Sequence, residues 1–275
     1  MDLNDSVVDH LRRVAALPDL SETGYELESE IGRGGMGIVY AVRDRKLNRR
    51  VALKVLEVPL TGEAQLIAGL EHPAIIPVYD SGVLPDGRTF YTMKLVQGTR
   101  LDHYAAGQPT IGERLRVLRR VGEALAFAHS HGILHRDLKP QNVMVGEFGE
   151  VYVMDWGVEA VAGTPAFRAP DACLDQQSDV FAFGALLRFL LAESRPAALL
   201  AIAAKATSAD PSARYASVTA LLADIERFEQ GLAIEAWSEP LWHRVQRFAA
   251  RNAVLLWLLA AYTAAKFLFF FLRKF

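Results

Sequence analysis

The chain changes texture twice along its length. From Tyr25 to Val96, β-branched and aromatic residues gather in short runs, as they do in strands. The predicted strands are Tyr25–Arg33, Ile38–Arg43, Arg50–Leu56, Ile76–Val83 and Thr89–Val96. They are divided by the turn formers Gly34-Gly35, Leu47-Asn48 and Pro85-Asp86-Gly87. One short helical stretch, Glu63–Leu70, interrupts them. Beyond Gly98 the pattern becomes helical. Ile111–His131 is a long amphipathic helix, and Ser178–Leu191, Ala197–Ala206 and Ser217–Phe228 follow. Between the first two of these, Ile133–Trp156 is irregular, with short strands at Val143–Val145 and Val151–Met154. The expected fold is α+β in two lobes, a small antiparallel sheet (25–96) followed by a larger helical part (97–231). Residues 1–24 read as a short amphipathic lead, with Val7, Val8, Leu11 and Val14 at helical spacing and an end near Pro18.

A third texture occupies Ala253–Leu272, which is apolar all round. As a helix it would measure about 30 Å, the thickness of a bilayer's hydrocarbon core. A buried C-terminal helix is the soluble alternative. Lys266 lies about 9 Å from the end of the run, near enough for its ammonium to snorkel. Arg244, Arg247 and Arg251 precede the run, which puts the upstream domain in the cytosol by the positive-inside rule. The expectation is a membrane-spanning helix at 253–272 in the lipid bilayer, after a juxtamembrane segment at 232–252. That makes a single-pass protein of the cell membrane with its folded domain cytoplasmic.

Composition adds exclusions. The hydrophobic share of 51% is slightly high, and the excess sits in that last run. A net charge of −2 gives no electrostatic case for nucleic acid as a partner. The single cysteine, Cys173, excludes an internal disulfide framework and a cysteine zinc site. The first 20 residues lack a long apolar core and carry acids, unlike a signal peptide.

Four runs carry candidate chemistry. Gly32, Gly34 and Gly37 form GxGxxG between two predicted strands, a hairpin context rather than a dinucleotide fold. Glycines let a backbone lie against phosphate oxygens and donate N–H groups to them. Lys54, in Val51-Ala-Leu-Lys54, stands on the next-but-one strand within reach of such phosphates. Alone, the first is a glycine-rich turn and the second a surface lysine. They are followed, however, by His135-Arg-Asp-Leu-Lys-Pro-Gln-Asn142 and by Asp155-Trp-Gly157 after a short strand.

In this order the runs resemble the signature set of protein kinases, in the bacterial, eukaryote-like (Hanks-type) serine/threonine form. The resemblance covers residues 25–231. It implies a two-lobed enzyme that uses ATP and Mg²⁺ to phosphorylate serine or threonine of protein substrates. By position, Asp137 would be the base, Asn142 and Asp155 the metal ligands, and Lys54 the grip on the α- and β-phosphates. Lys139 marks the serine/threonine version of the loop. The resemblance makes Met93 the gatekeeper, with the backbones of Lys94 and Val96 on the adenine edge. Ile31, Val39, Ala52, Met144 and Met154 would wall the adenine. Thr164 would help seat the acceptor, Asp179 would brace the catalytic loop, and Arg214 would pair with the acid of the APD run, Asp171.

The chain also departs from that pattern. The glutamate partner of Lys54 would be Glu63, only eight residues beyond it, about half the usual connection. Nothing between Asp155 and Thr164 can be phosphorylated, so Arg136 lacks an obvious phosphate partner there, and Glu159 is a candidate stand-in. Asp171 is one methylene shorter than the usual glutamate, and its pair with Arg214 is expected to close by a backbone shift. The alternative to an enzyme is a membrane-tethered pseudokinase scaffold that binds ATP with little turnover. The intact Lys54, Asp137, Lys139, Asn142 and Asp155 favour the enzyme, and a homodimer is compatible with either.

Overall fold

The computed structural model describes residues 17–34, 37–56, 69–156, 165–171, 175–191, 196–237 and 252–272. The lead helix expected in 1–24, most of the Glu63–Leu70 helix and the juxtamembrane stretch 238–251 lie outside the described residues.

Five antiparallel strands form the first sheet: β1 (Tyr25–Gly34), β2 (Gly37–Asp44), β3 (Arg49–Leu56), β4 (Val78–Val83) and β5 (Thr89–Lys94), in the order β1-β2-β3-β5-β4. Period-two alternation gives the sheet two apolar faces. Val51, Leu53 and Val55 of β3 pack with Ile38, Tyr40 and Val42 of β2 and with Phe90 of β5. Ala52 points the other way and packs with Tyr91 and Met93. The β2–β3 turn is local chemistry. The Asp44 carboxylate accepts the N–H groups of Lys46 and Leu47 at 3.0 and 3.1 Å, and Asn48 takes the left-handed conformation at φ 48°.

The expected strand from Thr89 to Val96 stops at Lys94. After a three-residue gap the chain forms β6 (Gly98–Arg100), which joins a second antiparallel sheet with β7 (Val143–Gly146) and β8 (Val151–Val153). Periodicity gives no sign of β6, because Gly-Thr-Arg has no apolar face and is a strand only through its partner. Gly98 is needed there: a Cβ would sit 2.2 Å from the Val145 carbonyl oxygen.

The helices are α1 (Leu101–Ala106), α2 (Ile111–Ser130), α3 (Gln176–Leu190), α4 (Ala197–Ala206) and α5 (Val218–Glu229). α2 starts on a capping box, in which Thr110 and Glu113 satisfy each other's backbone N–H. Asp175 and Ser217 cap α3 and α5. α2, α3, α4 and α5 share one core around Leu118, Leu125, Phe183, Leu187, Ile202 and Leu221. Each such side chain contributes about 1.5–3 kcal/mol on burial. β7, β8 and Trp156 pack onto the same core, which ties the loops between them to the helical lobe.

The apolar run forms a helix, α6 (Ala253–Leu272). Among the described residues, no helix is long and apolar enough to cross a membrane. The uncharged run ahead of Lys266, Ala253–Ala265, spans about 20 Å at roughly 1.5 Å per residue, short of a roughly 30 Å hydrocarbon layer. The expected bilayer span at 253–272 is therefore corrected, and the single-pass cell-membrane localisation falls with it.

Candidate active site

The loop from His135 to Asn142 is fastened to the helical lobe by Asp179. Asp179, fully buried near the start of α3, accepts the backbone N–H of His135 on Oδ2 at 2.8 Å and that of Arg136 on Oδ1 at 3.0 Å. His129 Nε2 adds a contact of 2.8 Å to Oδ2. Arg136 takes the left-handed conformation, φ 66°, which a non-glycine residue holds only where its surroundings over-determine it. His135 is fully buried, with its ring centroid 4.8 Å from that of Trp156. Burial pushes its pKa below the ordinary histidine value, so the ring is neutral. Its Nδ1 accepts the Asp137 N–H at 3.3 Å, which fixes the tautomer with the proton on Nε2.

Asp137 is thereby aimed, and two side chains hold its carboxylate. Lys139 Nζ donates to Oδ2 at 2.6 Å. Asn142 Nδ2 donates to the same oxygen at 3.1 Å and to the Asp137 backbone carbonyl at 2.8 Å. Both side-chain contacts use Oδ2, and among the described residues no hydrogen bond is recorded to Oδ1. A 3-10 turn, Pro140–Asn142, brings Lys139 and Asn142 back onto Asp137.

Lys54 and Asp155 meet across the two lobes, with Nζ 2.5 Å from Oδ1. Burial opposes the Lys54 ammonium, but the Asp155 charge and then Tyr91 outweigh it, and the pKa is held above the usual lysine value. Asp155 also lies in the left-handed region, at φ 57°. Its neighbour Trp156 is fully buried and donates from Nε1 to the Val153 carbonyl at 3.0 Å. Met154 N–H donates to the Asn142 carbonyl at 2.9 Å, joining this turn to the catalytic loop.

The apolar cleft comes together from distant strands. Val39, Ala52, Met93, Val96, Met144 and Met154 fall in one cluster with Ile76, Tyr91 and Tyr152. Ile31, expected as a wall, is instead 49% exposed on the outer strand β1 and has no place in the cluster. Lys94 donates its N–H to the Pro77 carbonyl at 3.2 Å, and its side chain reaches the Tyr152 hydroxyl at 2.5 Å. A ligand at this edge would therefore meet the Lys94 carbonyl rather than its N–H. Tyr152 and Ile76 are missed by motif reading. Their signal is faint, since alternation within short strands marks a face without saying what faces it.

The three motif glycines are not equivalent. Gly37 has φ 142°, and a Cβ there would stand 2.0 Å from the Val55 carbonyl oxygen, so the fold itself demands glycine. At Gly34 a Cβ would meet nothing within 4 Å, and at Gly32 only Val39 at 4.0 Å. Neither is explained by packing. Glu63, Gly157, Glu159 and Thr164 lie outside the described residues. Asp171 does reach Arg214: Oδ2 lies 3.1 Å from Nη2, an ionic contact off the hydrogen-bonding axes. The guanidinium instead donates to the carbonyls of Ser208, Ala209 and Gln177.

This geometry agrees with what the chain resembles. Residues 25–209 match the family model described as the protein kinase domain. The chain belongs to the protein kinase family. Among curated relatives of this kinase, serine/threonine-protein kinase PknB of Mycolicibacterium smegmatis is 31% identical over 77% of the chain and 44% of its own length. The DNA damage-responsive serine/threonine-protein kinase RqkA of Deinococcus radiodurans is 36% identical over 62% of the chain and 30% of its own length. Serine/threonine-protein kinase PknD of Chlamydia abortus is 28% identical over 75% of the chain and 31% of its own length. The kinase is thus similar to bacterial Hanks-type enzymes and spans less than half the length of each of these three relatives.

Proposed function

We propose that this kinase transfers the γ-phosphoryl group of MgATP to serine or threonine hydroxyls of proteins. The observation that carries the reading is the Lys139–Asp137–Asn142 cluster, assembled with 2.6 and 3.1 Å contacts on one carboxylate oxygen. A carboxylate so held accepts the substrate hydroxyl proton on its other oxygen. Lys139 holds that carboxylate turned, and its ammonium would help neutralise the negative charge that grows during transfer.

The residues also fit the family's cofactors. Asn142 spends its amide nitrogen on Asp137, which leaves the amide oxygen for a cation. Asp155 commits Oδ1 to Lys54 and keeps Oδ2, so the pair offers the hard oxygen donors that Mg²⁺ takes. When bound, Mg²⁺ neutralises phosphate charge. Lys54 would grip the α- and β-phosphates, and Gly32 and Gly34 would let the β1–β2 backbone lie over them. Val39, Ala52, Met93, Val96 and Met144 would hold the adenine.

The test is transfer of labelled γ-phosphate by the full chain, to itself and to a generic basic protein, beside Asp137→Asn. Label on serine or threonine that drops by about 10²–10⁴-fold in the variant supports the reading. Equal transfer by both proteins sinks it.

A further inference from the structure

We propose that Tyr152 is a positioning residue that latches the two lobes: its hydroxyl holds the Lys94 side chain and so sets the width of the cleft between them. The inference rests on the reading of that cleft as the nucleotide site, and it is carried by the path of the chain. β1 to β5 lie in the first sheet and β6 to β8 in the second, so the strands are joined from one sheet to the other once, through residues 95–97. So short a link pivots unless something beside it is held. Lys94 is the last residue of β5 and stands opposite Val51 of β3, so it moves with the first sheet. Tyr152 is the middle residue of β8 and stands opposite Met144 of β7, and its neighbours Val151 and Val153 are buried in the core of the helical lobe. Lys94 Nζ donates to the Tyr152 hydroxyl at 2.5 Å and lies 4.5 Å from the centre of its ring.

The residue types suit a latch. Tyr152 is 8% exposed and packs with Ile76 and Met93, a setting that phenylalanine would fill equally well. A hydroxyl buried there is costly unless it is hydrogen-bonded, and the Lys94 ammonium supplies the donor. The Val153 carbonyl of β8 also accepts the Ile76 N–H at 3.3 Å, but that backbone bond does not depend on which side chains stand there. The consequence is felt in the cleft. Its apolar cluster takes Val39, Ala52 and Met93 from the first sheet, and Met144 and Met154 from β7 and the residue after β8. A planar ligand is in full contact with both sets at one separation only, because dispersion fades over a fraction of an ångström.

The experiment reads the latch without and with nucleotide, in wild type, Tyr152→Phe, Lys94→Met and the double variant, all as full chains. Amide hydrogen exchange of the free proteins is followed across residues 95–97 by mass spectrometry. Binding and dissociation of MgADP are followed by stopped flow with a fluorescent ADP analogue. Each single variant should exchange faster in the link and bind MgADP about fivefold more weakly, as expected for the loss of one hydrogen bond, with most of the change in the dissociation rate. The double variant should be no weaker than either single one, because both remove the same contact. In Tyr152→Phe the Tm should fall by no more than about 4 °C, the size of that one bond, and kcat should not fall. A merely structural defect would lower Tm further and kcat with it. Unchanged exchange or unchanged affinity in both single variants, or losses that add in the double variant, would overturn the proposal even in an active kinase. The expected shifts in a protein that transfers no phosphate would uphold the latch and overturn the kinase reading instead. Wild type that binds no MgADP would overturn both.

Discussion

Asp179 and His135 meet where the catalytic loop joins the helical lobe: the buried carboxylate accepts the His135 N–H at 2.8 Å. Its other oxygen takes the Arg136 N–H, so one side chain satisfies two donors of a loop that has no regular structure of its own. Asp179→Ala would leave both N–H groups buried and unpaired. We expect it to cost roughly 3 kcal/mol or more of stability and to abolish phosphoryl transfer. Thermal unfolding and the transfer assay together check this. Asp179→Ala with wild-type Tm would show that the loop is held by other means.

The glycine loop offers a test that separates fold from ligand. Gly37→Ala drives a Cβ into the Val55 carbonyl oxygen from a backbone conformation that L-residues avoid. It should cost at least about 2 kcal/mol. Gly34→Ala meets open space. Its Tm should stay within a degree or two of wild type while ATP affinity falls, as titration calorimetry would read. Gly34→Ala that binds ATP normally would remove this glycine from the proposed phosphate cover.

Arg214 is buried, with carbonyl acceptors at 2.8 Å (Ser208) and 3.2 Å (Gln177) besides its ionic contact with Asp171. Lysine keeps the charge but not the planar fork that serves these groups at once. Arg214→Lys should destabilise the domain by roughly 3 kcal/mol. Denaturant unfolding checks this, and a shift of under about 0.5 kcal/mol would contradict it.

Acid should weaken the protein partly through His135. Its folded-state pKa is depressed by burial, so on acidification the unfolded chain binds the proton first. The stability contribution is intact above the ordinary histidine pKa of about 6.5 and is lost as pH falls below it. His72, also depressed by burial, acts with the same sign. In His135→Asn the amide oxygen can still accept the Asp137 N–H, but nothing there titrates. The fall in Tm between pH 7 and 5 should be shallower in that variant. Parallel curves would assign the acid loss to carboxylates.

How much was legible in the sequence varies by residue. The order of strands and helices could be read because each long element carries its own period, as α2 does from Ile111 to Ser130. Asp137, Lys139, Asn142, Lys54 and Asp155 stood out because their spacing is local and their residue types are chemically unusual together. The shortness of the Asp171 side chain could be read too, but not how the contact would close.

Other features had no local signal. Gly98–Arg100 becomes a strand only because Val145 lies beside it. Ile31 read as a cleft wall, yet it sits exposed on the outer strand of the sheet. The apolar run at 253–272 read as a membrane span, an expectation that the finding of no helix fit to cross a membrane overturns.

By itself the sequence determined the family, the two-lobed order of elements and the residues with the means to do chemistry, because these follow from composition, period and short spacings along the chain. Only the tertiary structure decided that Tyr91 stands opposite Lys54, that Asp179 reaches back over more than 40 residues to hold the loop, and which glycine the fold requires. Those facts depend on strand register and on how closely one backbone approaches another. Both are fixed by packing between segments far apart in the chain, which no local pattern encodes.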